Sequence, residues 1–98
     1  GTEILEEVFS VIKDRKENPR EDSYVSSLYS DGGERILGKL REEAHELIKA
    51  VDEQGESEII HESADVIFHI LVLLSYEDVD LEQVMDELRD RRKPRESE

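Results

Sequence analysis

The chain has 98 residues, no cysteine, 41% charged residues and a formal net charge of −14. That length accommodates one domain with an adequate but not generous core, and the lack of cysteine excludes disulfides and thiolate metal sites and fits a reducing, cytoplasmic setting. The charge argues against nucleic acid or an anionic membrane as partner, because affinity for phosphate backbones comes mainly from counterion release by Lys and Arg.

No apolar signal segment is expected after Gly1. Ile4, Leu5, Val8, Phe9 and Ile12 recur at three- and four-residue spacing, which predicts a one-sided helix over 2–16, ended by Asn18-Pro19. In the polar segment that follows, REDSYVSSLYSDGG, Val25 and Leu28 predict a short helical turn. Asp31 with Glu34 three residues on has the form of a capping box, opening a second helix over 33–54 with Gly55 as its stop.

A third helix is predicted over 57–75, and its later part, VIFHILVLL, is apolar on every side apart from His69. Nine residues are too few to span a bilayer, which needs about 20. The run therefore reads as a helix buried all round. Three short neighbours would struggle to cover it, which predicts a homodimer. Asp80 and Gln83 cap a fourth helix with Leu81, Val84, Met85 and Leu88 on one side. Arg89, Arg91, Arg92 and Lys93 suit the C-terminal end of its dipole or reach phosphates, and 92–98 are expected to fray. No strand pattern interrupts this reading. The expected fold is all-α: a single domain over 1–98, a four-helix chain whose central helices form a bundle with a second subunit.

The acids of the central helices carry the chemistry. On a helical wheel, Lys39, Glu43, Glu46 and Ala50 fall within a strip roughly 60° wide beside the apolar strip of Ile36, Leu40, Leu47 and Val51, with Glu42 further round. Glu62 and Asp65 share one side of the third helix, with His69 four residues beyond. Like charges at this spacing repel, and partial burial raises the cost of ionising each. A hard divalent cation such as Mg²⁺ offsets both, being held by carboxylates and substrate phosphates. Two acid pairs from antiparallel helices place four carboxylates around one point of a bundle.

A solvated acidic face is the plainer explanation of EExxE alone, and salt adaptation is another source of the acidity. The second pair opens directly into the most apolar run of the chain, which favours the metal. Lys39 either cancels a carboxylate or meets a phosphate. His45 and His61 read as unremarkable surface residues. His69 reads as a core histidine bonded to an acid, or as an outer group of the site. Neither a nucleophilic triad nor a Gly-rich phosphate loop is present.

The order SYVSSLYSDGGERILGKLREEAHELIKA, HESADVIFHILVLL, VDLEQVMDELRDR closely resembles phosphoribosyl-ATP pyrophosphatase of histidine biosynthesis, within the MazG-like all-α nucleoside triphosphate pyrophosphohydrolases, over residues 23 to 91. The superfamily pattern of an ExxE pair followed by an ExxD pair maps onto Glu43 and Glu46, then Glu62 and Asp65. The SY dipeptide, the K-x-x-EE-x-x-E arrangement and the aromatic-His pair Phe68-His69 match the narrower family. Val25 stands where threonine is common, and Arg41 where a small residue is usual.

The resemblance implies Mg²⁺-dependent hydrolysis between the α- and β-phosphates of phosphoribosyl-ATP, with no protein nucleophile. In that reading Glu43, Glu46, Glu62 and Asp65 are metal ligands, and Glu42 is a further ligand or the group that orients or deprotonates water. Lys39 and Arg35 neutralise phosphates, while Ser23 and Tyr24 contact substrate. The rival substrates are other nucleoside triphosphates; the rival class is a non-catalytic acidic helical dimer.

Overall fold

The computed structural model describes residues 1–53 and 55–92, and within them the only regular elements are helices. They are α1 (Glu3–Glu17), α2 (Tyr24–Asp31), α3 (Gly33–Glu53), α4 (Glu56–Tyr76) and α5 (Leu81–Arg91). The all-α expectation holds, with one element more than the four predicted. The segment expected to supply a short turn is a helix of eight residues, α2. Gln54, the predicted end of the second helix, and the tail 93–98 with Lys93 lie outside the described residues.

Each boundary has a local cause. Before Pro19, Asn18 leaves the helical region and returns its backbone N–H to the Asp14 carbonyl, which closes α1. Ser23 caps α2 by accepting the Ser26 N–H at 3.1 Å. Between α2 and α3 the chain turns on Gly32, whose φ of +94° is strained for any residue with a Cβ. Gly33 then lies so close to Tyr76 that a Cβ there would meet the ring at 3.0 Å, and its N–H donates to the Tyr76 hydroxyl. Asp31 therefore does not cap α3 as the sequence pattern predicted. It is the last residue of α2, its carboxylate pairs with Arg35, and the Gly32 carbonyl accepts the first helical N–H of α3, from Ile36. Asp80 and Gln83 do form the predicted reciprocal capping box on α5.

The central hairpin of α3 and α4 makes the most extensive interhelical contact, with α1 and α2 packed against it. Ile12, Leu28, Ile36 and Val72, from four different helices, are fully buried at the centre. Polar bonds pin the same end of the molecule: Lys16 Nζ donates to the Ser75 carbonyl at 3.1 Å and to Asp78 at 2.8 Å, and the Tyr29 hydroxyl donates to Ser75 Oγ at 2.6 Å.

The apolar run of α4 is buried on one side only, so the expectation of a helix buried all round is not met within a single chain. His69, Leu71, Val72 and Ser75 are buried, whereas Ile60, Ile67 and Ile70 are exposed. The helix holding the apolar run has 21 residues and is, by length and composition alone, able to cross a bilayer. Glu62 and Asp65 sit near its middle, however, and an aspartate at the bilayer centre costs about 2.5–3.5 kcal/mol. One side of it packs on α3 and α1 as part of the core.

Candidate metal centre

The candidate side chains gather where the first half of α4 faces the middle of α3. On α4, His61 Nε2 lies 3.8 Å from Glu62 Oε1 and 3.4 Å from Asp65 Oδ2. One potential ligand atom from each of His61, Glu62 and Asp65 falls within 4.8 Å of the others, and this is the only such group among the described residues. On α3, Lys39 Nζ lies 3.5 Å from both Glu42 and Glu43. The helical period that the sequence displays thus places each acid pair on one side of its own helix.

The two pairs sense each other. The Glu62 carboxyl is pushed above the usual carboxylate range, first by burial, then by the charge of Asp65, with Glu43 and Glu46 adding to it and His61 opposing it. Its Oε2 is buried and accepts no hydrogen bond. Glu43 and Glu62 are the sheltered members, with side chains 13% and 14% exposed, while Glu42 is 61% exposed. Burial works to lower the Lys39 ammonium, but the charges of Tyr24, when ionised, and of Glu42 and Glu43 override it and leave the group above its usual range. Lys39 is therefore a permanent cation at the edge of the acids.

The structure does not gather all the predicted residues equally. Glu43 and Glu46 come near enough to act on Glu62 through their charge, yet they stand outside the tight cluster of α4. Arg35 is engaged with Asp31, one turn before Lys39. Ser23 spends its hydroxyl oxygen on capping α2. Tyr24 flanks the acids: burial raises its hydroxyl pKa, against the pull of Lys39 and Arg35.

His69 is buried as expected, but its partner is not an acid side chain. Nδ1 lies 2.7 Å from the Asp65 main-chain oxygen, and Nε2 lies 2.8 Å from the Tyr24 hydroxyl. A carbonyl only accepts, so Nδ1 carries a proton, and Nε2 shares the second hydrogen bond with the Tyr24 hydroxyl. This chain of bonds ties α2 to the α4 turn that bears Asp65. Tyr24→Phe leaves a buried imidazole nitrogen unpaired, and urea unfolding is expected to show a loss of about 1–3 kcal/mol.

His61 is the residue that sequence reading passed over. The usable signal was its spacing, four residues before Asp65 on the same helical side.

The donor set fits a hard divalent cation. It is rich in carboxylate oxygens, and the unpartnered, buried Oε2 of Glu62 is the kind of atom that a cation relieves.

Comparison with known proteins decides among the chemistries that such a site can host. Residues 5–92 match the family model described as phosphoribosyl-ATP pyrophosphohydrolase. The chain belongs to that family. A phosphoribosyl-ATP pyrophosphatase of Methanocella arvoryzae is 46% identical over 93 residues, covering 93% of this chain and 98% of the relative. That of Haloarcula marismortui is 45% identical, covering 92% and 94%. A histidine biosynthesis bifunctional protein of Pyrococcus furiosus is 49% identical over 92% of this chain, which corresponds to 42% of that longer protein. As a member of the phosphoribosyl-ATP pyrophosphohydrolase family the chain is a hydrolase, and its all-α hairpin with facing acid pairs is the scaffold on which that hydrolysis must be explained.

Proposed function

We infer that this protein hydrolyses phosphoribosyl-ATP to phosphoribosyl-AMP and pyrophosphate, acting in the cytoplasm as a single-domain enzyme of histidine biosynthesis. The family match across residues 5–92 carries this reading. Water adds across the α–β anhydride, one P–O bond breaks, and pyrophosphate leaves. Mg²⁺ is the cation proposed for the site, where it supplies neutralisation of the negative charge that builds on the phosphate oxygens.

Glu43, Glu46, Glu62 and Asp65 are the ligands in this reading. Lys39, held cationic beside Glu42 and Glu43, meets a phosphate, and Arg35 provides a second positive charge one turn away. Glu42 is the most exposed of these acids and is left to orient water or take its proton. Tyr24, fixed by His69, lines the edge toward the substrate, with Ser23 beside it. The decisive assay is pyrophosphate release from phosphoribosyl-ATP and from a panel of nucleoside triphosphates, each with Mg²⁺ and with EDTA. Release from phosphoribosyl-ATP with Mg²⁺ alone is expected. Release from the triphosphates instead overturns the substrate, and no release at all overturns the enzyme reading.

A homodimer belongs to the same proposal. Leu37, Ile48 and Val51 share one stripe of α3 and are exposed, as are Ile60 and Ile67 on one stripe of α4. The radius of gyration, 15.3 Å, also exceeds the roughly 13 Å of a compact chain of this size. A second copy supplies the missing cover for the hairpin. Sedimentation is expected to give a dimer at micromolar concentration, and Ile67→Asp is expected to shift it toward monomer. A wild-type monomer overturns the dimer.

A further inference from the structure

We propose that His61 is a nitrogen donor to the cation held by Glu62 and Asp65, so that this site takes Mn²⁺ and Co²⁺ more tightly than it takes Mg²⁺. The inference rests on the metal reading given under Proposed function and adds to it a ligand of a different chemical kind.

Geometry comes first. Two ligands on a cation with bonds near 2.1 Å are about 3.0 Å apart when adjacent in an octahedron and about 4.2 Å apart when opposite. The separations from His61 Nε2 to Asp65 and to Glu62, 3.4 and 3.8 Å, lie between those limits. They are also longer than the roughly 2.7–2.9 Å of a charge-assisted hydrogen bond. The imidazole is therefore near both carboxylates without being bonded to either.

The plain alternative is a surface ion pair. His61 is 66% exposed, and an exposed pair of this kind contributes at most about 1 kcal/mol, too little to hold the ring against a better partner. Glu62 supplies an independent observation, because its Oε2 is buried with no hydrogen bond to satisfy it. A cation held by the Glu62 carboxylate would relieve that atom, and His61 Nε2 stands 3.8 Å from the other oxygen of the same carboxylate. Mg²⁺ gains little from nitrogen, whereas imidazole suits the transition ions and affinity rises from Mn²⁺ to Co²⁺ for mixed nitrogen and oxygen sites.

The experiment uses the full chain at one neutral pH. Pulsed electron paramagnetic resonance on bound Mn²⁺ is expected to show ¹⁴N coupling that is lost in His61→Gln. Calorimetric titration is expected to show that this substitution weakens Co²⁺ about 10–100-fold, the scale on which removing a group that supports a metal acts, and Mg²⁺ by less than about threefold. Circular dichroism checks that the exposed substitution leaves the helices formed. Mn²⁺ bound without nitrogen coupling, coupling that survives in His61→Gln, or an unchanged Co²⁺ affinity overturns the role of His61 while leaving the carboxylate site standing. Failure of the wild-type chain to bind any divalent cation removes the underlying metal reading as well.

Discussion

Asp65→Ala and Glu46→Ala are each expected to lower Mg²⁺-dependent pyrophosphate release from phosphoribosyl-ATP by about three orders of magnitude, the upper range for removing a group that stabilises developing charge. The measurement is a steady-state rate at saturating Mg²⁺, with far-ultraviolet circular dichroism recorded on the same samples. Helix content is expected to survive in both. The buried His69 is anchored to the main-chain oxygen of Asp65, which alanine retains, so the bond to α2 through Tyr24 persists when the carboxylate is gone. Among the described residues the Asp65 carboxylate pairs only with His61, and that contact lies at the surface. Alanine is also the best helix former, so neither change strains its helix. A rate within about tenfold of wild type in either variant contradicts its assignment as a ligand, since even outer groups of metal sites are worth about 10–100-fold.

Why these acids could be read from the sequence, and their surroundings could not, follows from the range of the interactions. Glu43 with Glu46 and Glu62 with Asp65 are paired by helical spacing alone, and the period of a helix is a local property. The stripe of α1 and the capping box at Asp80 are local in the same way, whereas of the apolar residues expected on one side of α5 only Leu81 is buried and Leu88 is exposed. Helix α2 is not local. Eight residues are too few to form a helix in isolation, and it exists because Val25 and Leu28 bury against elements distant in the chain. Asp31 and Glu34 had the spacing of a cap, but the glycine pair between them makes a turn in which Gly32 supplies the accepting carbonyl.

The histidines divide along the same line. His69 was legible as a core residue from the apolar run around it. Its bond to Tyr24, 45 residues away, was not, because it requires the packing of α2 on α4. His61 was passed over for the opposite reason: it stands near the start of the helix, outside the apolar run, and only its spacing to Asp65 marked it.

Glu62→Gln is expected to reverse the order of stability according to whether a divalent cation is present. In EDTA near pH 7 the variant melts above the wild type. An ionised Glu62 is held in a sheltered position with a buried, unpaired oxygen, against the charges of Asp65, Glu43 and Glu46, and the neutral amide bears neither burden. Because the folded-state pKa of Glu62 is raised, the protonated carboxyl favours the folded chain. The penalty is absent below the unfolded value of about 4.3 and develops as pH rises through the folded value. The advantage of the variant therefore fades as the melts are repeated toward pH 4. In Mg²⁺ at a hundredfold excess over its dissociation constant, binding to the folded wild type adds about 2.7 kcal/mol. For a domain of this size that corresponds to a rise in melting temperature of about 10–20 °C. Glutamine keeps one neutral oxygen and loses the charge, so Glu62→Gln gains far less and now melts below the wild type. Thermal melts in EDTA and in Mg²⁺, at two pH values, test both halves. Equal responses of the two chains to Mg²⁺ refute Glu62 as a ligand. A variant less stable than wild type in EDTA at pH 7 refutes the claim that these carboxylates are costly without a cation, and with it the physical reason for expecting one between α3 and α4.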